Sequence, residues 1–383
     1  MILIKNGNLL TMENDNVIVG DVLIEGDKIV KIGQNIEVDE TCEIIDATDK
    51  YVMPGIIDAH CHIGLWEDGM DDDDGDGNEM TDPITPQLRA IDGINPFDNA
   101  FVEARENGVT ICVTGPGSAN VLGGQFVAIK TIGKCVDEMI IKDPVAVKAA
   151  FGENPKKVYS EQEKAPTTRM AIASLLRETL YEAKDYRDKL NKAKTDEDEK
   201  VEKDLKLDIL VDVLDKKIPL KIHAHRADDI MTAMRICKEF DIDYTIDHCT
   251  QGHLIPEYLK DKKVIVGPLT VDRCKDELKN LSIKAPSILH ENGVDFAIAT
   301  DHPVIPVQYL PISAALAVRE GLDEMYALKA ITINPAKIIG IDDMYGSLKE
   351  GKVANIAIFN RFPLDIMAKT SHVLIDGKVI FVR

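Results

Sequence analysis

The chain has 383 residues, of which 45 are basic and 66 acidic, so its formal net charge is −21. This excess of acid disfavours nucleic acid and anionic membrane surfaces as partners, and we expect neither. No apolar run reaches the ~18–20 residues that a membrane-spanning helix needs. The seven cysteines include no Cys-x-x-Cys pair, which favours reduced thiols and a cytoplasmic location.

Both ends of the chain alternate short apolar runs with turn signals. In the first 53 residues, Asn6-Gly7 and Gly26-Asp27 follow such runs, and Asp376-Gly377 separates two more near the C-terminus. We therefore predict one small β-sandwich domain, built from residues 1–53 and 346–383.

The middle of the chain, residues 54–345, alternates apolar strand-like runs with helical periodicity, which is typical of a parallel α/β fold. Eight runs qualify as strands, and eight is the number that closes a (β/α)8 barrel. They span residues 56–60, 110–114, 126–132, 145–151, 220–225, 244–249, 264–268 and 296–301. Residues 139–141 compete with 126–132 for the place of the third strand.

Two insertions interrupt this pattern. Residues 67–83 contain the run Asp71-Asp72-Asp73-Asp74, which is either a solvated flexible loop or a lid over the first βα loop. Residues 155–217 have helical spacing around a charged stretch, and we predict a helical hairpin with a solvated tip.

A pair of histidines follows the first barrel strand. In the stretch Pro54-Gly55-Ile56-Ile57-Asp58-Ala59-His60-Cys61-His62, the two imidazoles lie on the same side of a strand. Zinc, iron and manganese all accept imidazole nitrogen, and Asp58 could orient one of the histidines. A pair of buried, hydrogen-bonded histidines is the alternative.

Further polar residues end the later strands. His223 and His225 end the fifth strand, His248 ends the sixth, and Asp301 and His302 end the eighth. Catalytic residues of (β/α)8 proteins lie at this end of the strands. The sequence therefore predicts one divalent-metal site there, with one or two ions.

The Pro-Gly-x-x-Asp-x-His-x-His pattern resembles the first-strand motif of the amidohydrolase superfamily, and residues 346–355 resemble its return from barrel to sandwich. The resemblance implies a (β/α)8 barrel with a mono- or binuclear metal site. It implies a role for Asp301 as both ligand and proton acceptor, and it makes His225 a substrate contact or a support. The implied metal ligands are His60, His62, His223, His248 and Asp301, with His248 also a candidate catalytic residue.

The fourth strand offers two further candidate ligands. A lysine in an apolar strand is costly unless it is paired or modified, and Lys148 lies in such a strand. In many members of the superfamily this lysine is carbamylated and bridges two metals. Others use a glutamate at the strand end, a role that Glu153 could fill. An ion pair at the barrel wall is the structural alternative for Lys148.

Several other residues are candidates for substrate contact. Tyr159 and Arg169 follow the fourth strand, where related enzymes hold a substrate carboxylate. The remaining candidates are Gln125, His253 and His302.

Together these features predict a metal-dependent hydrolase that cleaves a carbon–nitrogen bond of a small peptide-like or cyclic amide. The resemblance favours the imidazolonepropionase-like and prolidase-like branch. We expect zinc as the metal, with iron and manganese as alternatives, and a homo-oligomer. A deaminase of a nitrogen heterocycle is the first alternative, although Arg226 occupies the glutamate position of its His-x-x-Glu motif. A non-catalytic barrel scaffold is the second, but such proteins usually lose their ligands.

Overall fold

The structure is a computed structural model that describes residues 1–67, 69–70, 75–195 and 200–383. The predicted acidic run, Asp71 to Asp74, lies outside the described residues. In chain order, the strands are β1 (Ile2–Leu10), β2 (Val17–Glu25), β3 (Lys28–Gly33), β4 (Glu43–Asp46), β5 (Tyr51–Pro54), β6 (Ile56–Cys61), β7 (Val109–Thr114), β8 (Leu122–Lys130), β9 (Ile140–Ala150), β10 (Leu220–Ala224), β11 (Tyr244–His248), β12 (Lys263–Val266), β13 (Phe296–Ile298), β14 (Ile356–Phe359), β15 (Thr370–Ile375) and β16 (Lys378–Val382).

Most of the α-helices follow the strands of the second half of the chain. They are α1 (Asn99–Glu106), α2 (Val136–Met139), α3 (Glu153–Glu161), α4 (Arg169–Ala193), α5 (Leu205–Leu214), α6 (Ala227–Phe240), α7 (Pro256–Leu259), α8 (Ala285–Glu291), α9 (Leu310–Arg319), α10 (Glu324–Lys329) and α11 (Ile333–Ile339). The predicted helical hairpin corresponds to α4 and α5. In the described part of the chain, none of these helices combines the length and apolar character needed to cross a membrane.

Strands from both chain ends join one hydrogen-bonded sheet. Its order is β16-β15-β14-β5-β1-β2-β3, and β4 pairs with β1. Buried residues of both ends share one core, in which Leu9 and Val52 of the N-terminal part meet Ile356 and Ile358 of the C-terminal part. The predicted sheet that both chain ends form, apart from the barrel, is therefore confirmed. The exact domain boundaries, 53/54 and 345/346, stay a prediction.

The other sheet is the barrel sheet, which contains the eight predicted barrel strands in the order β6 to β13. Its two edges approach each other through backbone hydrogen bonds, from Asp301 N to the His60 carbonyl at 3.1 Å and from His62 N to the His302 carbonyl at 2.8 Å. The TIM-like barrel is thus nearly closed. The bonds that join its edges lie at the residues predicted to bind metal.

One strand departs from the expected parallel arrangement, since β8 runs antiparallel to both β7 and β9. The connections on either side of β8 are short, with only the four-residue α2 between β8 and β9. A parallel crossover needs a dozen residues or more, so these connections permit only antiparallel neighbours. The start of β8, including Gly123 and Gly124, consequently lies beside Lys148.

The terminal sheet provides a test of the packing between the two chain ends. Ile358 is fully buried and pairs with Val52 from the N-terminal part. We expect Ile358→Ala to lower the free energy of unfolding by about 2–5 kcal/mol, because it removes a buried branched side chain and leaves a cavity. Urea denaturation followed by circular dichroism measures this loss. Ile366→Ala, at a residue that is 76% exposed, is the matched control and should change the stability little.

Candidate functional site

Two groups of potential metal ligands meet at the carboxyl ends of the barrel strands. The first contains His60, His62 and Asp301, and the second contains His223, His225 and His248. Within each group the donor atoms lie within 4.8 Å of one another. The rings of His60 and His248, whose centroids are 4.9 Å apart, connect the two groups.

Left-handed backbone turns bring the strand-end residues into the site. His248 has a φ of 69° and Asp301 a φ of 58°, both in a region that few non-glycine residues adopt. Asp247, which precedes His248, is also fully buried. The turn at His248 lets two consecutive side chains reach the same interior, which regular strand alternation would forbid.

The His60 imidazole is held by a buried carboxylate. Its Nδ1 contacts Asp247 Oδ2, and the same oxygen accepts a 2.7 Å contact from Lys221 Nζ. Lys221 Nζ also donates to the Ala59 carbonyl at 2.9 Å, and Thr245 Oγ1 donates to the other Asp247 oxygen at 2.6 Å. The Nε2 of His60 is thereby directed away from Asp247 and lies 3.5 Å from Asp301 Oδ1.

Our sequence analysis missed Asp247 and Lys221. Lys221 lies two positions before a strand-end histidine, and Asp247 lies directly before another. A polar residue at such a position, within an otherwise apolar strand, was the signal in the sequence. Asp58, which we expected to orient a histidine ring, instead accepts the backbone N–H of His60 at 3.1 Å and the Thr300 hydroxyl at 2.5 Å. Burial raises the pKa of Asp58 to about 7.

Three other histidines each use Nδ1 for a hydrogen bond within the protein. His62 Nδ1 lies 2.7 Å from the Gly115 carbonyl, His248 Nδ1 lies 2.8 Å from the Gly267 carbonyl, and His225 Nδ1 lies 2.7 Å from Thr250 Oγ1. Metal-binding histidines are commonly oriented in this way, with the second ring nitrogen left for the ion.

Some buried ring nitrogens have no hydrogen-bond partner among the described residues. They are His248 Nε2 and both nitrogens of His223. A buried polar atom without a partner costs about 1–3 kcal/mol, so native proteins rarely keep one without a reason. A bound metal would satisfy one nitrogen of each of these rings, and the nitrogen and carboxylate donors of the two groups suit zinc, iron or manganese. The residues present therefore fit a divalent metal.

The protonation states also suit metal binding. Burial lowers the pKa of His60, His223 and His225 well below the usual range, which keeps these imidazoles neutral. Burial alone would raise the pKa of the Asp301 carboxyl. The neighbouring imidazoles, with His248 first, outweigh this effect and hold its pKa well below the usual range. Neutral imidazole and ionised carboxylate are the forms that bind metal.

Lys148 lies beside the first group of ligands. Its side chain is fully buried, and its Nζ is 3.4 Å from His60 Nε2. Burial lowers the pKa of this ammonium to about 8, and the positive charge of Lys221 acts in the same direction. The ring of Phe126 lies beneath both lysines, with each Nζ 5.4 Å from its centroid.

A cavity of about 520 Å³ opens above these groups. His62, His223, His225 and Asp301 lie at its base. Its wall is mostly apolar, with a smaller set of polar groups. The other lining residues include Trp66, Asn78, Met80, Ser118, Asn154, Pro268, Val271, Asp272, Cys274, Lys275, Leu278, Pro303 and Val304. This volume suits a small organic substrate.

Two residues predicted near the fourth strand have other contacts. The Glu153 carboxylate accepts the backbone N–H of Glu277 at 3.1 Å, and neither group of ligands includes it. Arg169 Nε is bound to both carboxylate oxygens of Asp229, at 2.9 and 3.1 Å.

The other predicted substrate contacts also differ in position. The Tyr159 hydroxyl donates to Asn120 Oδ1 at 2.5 Å in a buried position, and Gln125 donates to the Pro86 carbonyl at 3.2 Å. His253 Nδ1 lies 3.1 Å from the Thr250 carbonyl. His302 is buried beside Asp301 and accepts the Val307 N–H. These four residues do not line the cavity described above, whereas His225 does.

Comparison with known proteins identifies the family. A family model described as the amidohydrolase family matches residues 51–380. The solved structure of an amidohydrolase from Thermotoga maritima MSB8 superimposes with a TM-score of 0.97 at 44% identity, covering 100% of both chains. A prolidase complexed with N-methylphosphonate-L-proline shares the fold, with a TM-score of 0.60 at 16% identity and full coverage of both chains.

Curated relatives agree with this result. Amidohydrolase tasK of Hapsidospora irregularis is 29% identical over 392 residues, which cover 95% of this chain, and the chain spans 40% of that protein's length. A dihydroorotase of Caldicellulosiruptor saccharolyticus is 26% identical over 389 residues, covering 94% of this chain and 88% of that protein. The chain therefore belongs to the amidohydrolase family, a family of hydrolases that act on carbon–nitrogen bonds.

Proposed function

We propose that this protein is a metal-dependent hydrolase that cleaves an amide bond, in a peptide-like or cyclic amide, with water as the nucleophile. One observation carries this proposal. Two groups of potential metal ligands meet at the carboxyl ends of the barrel strands, and four of their members line a cavity that is the size of a small molecule. Relatives named amidohydrolase and dihydroorotase support an amide as the bond that is broken.

The ligand set follows from the two groups. His60, His62 and Asp301 would hold one ion, and His223 and His248 a second. His225 lines the cavity, and we assign it to the substrate side of the site. A divalent metal, for which zinc is our first choice, lowers the pKa of water and polarises a substrate carbonyl when it is bound.

Asp301 is the proposed acid–base residue. Its carboxylate lines the cavity and belongs to the first group of ligands. It accepts a proton from the attacking water and delivers that proton to the leaving nitrogen. Its Oδ1 lies 3.2 Å from His62 Nε2, the ring nitrogen that would hold the same ion.

Lys148 is the proposed bridge between the two ions. An unmodified ammonium at this position would repel bound cations. Burial lowers its pKa, which increases the fraction of free amine. The free amine attacks the carbon of CO2 and loses one proton, and the product is a carbamate with one negative charge. This change replaces a cation beside His60 with an anionic group that has two oxygen donors.

The contacts of Arg226 favour hydrolysis over the deaminase alternative. Its guanidinium occupies the position of the glutamate in a His-x-x-Glu motif and pairs with Asp228 at 2.9 Å and Asp276 at 3.3 Å. An arginine cannot replace a carboxylate as a proton carrier, because it stays protonated.

The ligand assignment predicts the result of removing one histidine. His60→Ala should lose most of its bound metal and reduce amide hydrolysis by roughly 1,000-fold or more, because it removes a ligand and one of the contacts of Asp247. Metal content, measured by mass spectrometry of purified protein, checks this directly. His372→Ala, on the terminal sheet, is the control and should keep its metal. Full metal content in His60→Ala would disprove the assignment.

The carbamate predicts a second metal that depends on Lys148. We expect two metals per chain in the wild type and at most one in Lys148→Ala, with partial recovery of metal and activity when a short carboxylic acid is added. Mass spectrometry and a crystal structure at high bicarbonate measure the metals and the modification. Glu153→Gln is the control. If Glu153→Gln loses metal and Lys148→Ala does not, Glu153 is the ligand of the fourth strand.

The contact of Asp247 with His60 leads us to predict that Asp247 affects the metal affinity without contacting the metal itself. Asp247→Asn keeps the shape of the side chain but removes the negative charge that faces Lys221 and His60. We expect metal affinity to fall about 10–100-fold. Competition with a chromogenic chelator measures this loss. Asp295→Asn, at an exposed carboxylate outside the site that lies 3.3 Å from the Tyr326 hydroxyl, is the matched substitution that should leave the affinity unchanged.

A further inference from the structure

The cavity contains a lysine that the proposed chemistry does not use. Lys275 lies in the loop after β12 and lines the cavity above His223 and His225. In a chain with 66 acidic and 45 basic residues, most cavity lysines would be expected to meet a carboxylate. Lys275 nevertheless forms no ion pair within the described part of the chain, although its charge reaches the buried carboxyl of Glu277, whose pKa is raised by burial and lowered by Lys275.

Lys275 is held by a hydrogen bond to a neutral side chain, which is hydrogen-bonded in turn to a second neutral side chain. Its Nζ donates to Asn154 Oδ1 at 2.7 Å, and Asn154 Nδ2 donates to Ser118 Oγ at 2.6 Å. All three residues line the cavity. An ammonium has three donor protons, so the bond to Asn154 leaves donors for another acceptor. The Asn154 amide therefore positions the charge without neutralising it.

The charge of Lys275 acts at the metal-binding end of the cavity. It lines the same cavity as His223 and His225 of the second group of ligands. The residues that the sequence analysis predicted to bind a substrate carboxylate are already bound to other side chains. The Arg169 guanidinium is paired with Asp229, and the Tyr159 hydroxyl is bound to Asn120.

We propose that Lys275, held by Asn154, binds a carboxylate of the substrate, so that the substrate class is a small amide with an apolar body and one free carboxylate. This inference rests on the proposed hydrolysis for the identity of the reacting bond. The apolar wall, formed by side chains such as Trp66, Val271 and Leu278, would contact the rest of the substrate. A charge-assisted hydrogen bond of this kind separates an acid from its neutral amide.

Trp66 supplies a binding signal that does not depend on turnover. It is the only tryptophan of the chain, it lines the cavity, and its ring centroid lies 5.2 Å from that of His62. The probes are N-acetyl-L-leucine and N-acetyl-L-leucinamide, which have nearly the same size and differ in charge. Each is titrated into metal-loaded protein while Trp66 fluorescence is recorded.

We expect the wild type to bind the acid about tenfold more tightly than the amide. Lys275→Gln should weaken the acid about tenfold and leave the amide unchanged. Asp272→Asn is the matched control, since it removes an opposite charge from the same loop and the same cavity. It should leave acid binding unchanged or tighten it, whereas general damage to the loop would weaken both variants alike.

Three results would overturn the proposal. They are equal binding of acid and amide by the wild type, a preference for the acid that survives in Lys275→Gln, and no fluorescence change with either probe. The second result would assign the carboxylate to the metals. Release of leucine or its amide, measured in parallel, tests the proposed function separately. Hydrolysis without a preference for the acid rejects only the Lys275 site, and acid-selective binding without hydrolysis rejects only the reaction.

Discussion

The buried carboxylate of Asp247 is the constraint on which the site depends. It lies in the barrel interior with no exposed surface, where an isolated charge would be very costly. Lys221 from β10 and His60 from β6 both contact the same oxygen, so three strands are joined through one atom. Removing any one partner would leave a buried charge or donor unmatched. The contact that orients His60 therefore also stabilises the barrel.

The closure of the barrel depends on the same residues. Backbone hydrogen bonds from Asp301 to His60 and from His62 to His302 connect the first and last strands. The reversed strand β8 adds a second constraint, because it puts Gly123 against Lys148. A Cβ on Gly123 would lie 3.3 Å from Lys148 Cγ, which is tighter than ordinary contact. Glycine here leaves the Lys148 side chain the room it needs to reach His60.

The sequence predicted the barrel because apolar runs and strand-end histidines are local patterns. All eight strands and the grouping of His60, His62, His223, His248 and Asp301 followed from them. The direction of β8 was not predicted, since runs of similar composition form parallel and antiparallel strands, and only the short connections decide between them. Asp247 and Lys221 were missed because their meaning comes from a contact between residues far apart in sequence.

The residues that contact the substrate were the hardest part of the site to predict from the sequence, and the reason is physical. Arg169 and Tyr159 are suitable residue types at a suitable distance from the fourth strand, but Asp229 and Asn120 bind them first. A polar group that is already satisfied inside the protein offers little to a ligand, because binding would exchange one partner for another. Lys275 lies far along the chain, and its only described hydrogen-bond partner is a neutral amide. The proposed recognition of a carboxylate therefore depends less on which charged residues are present than on which of them the fold leaves without a direct ion pair.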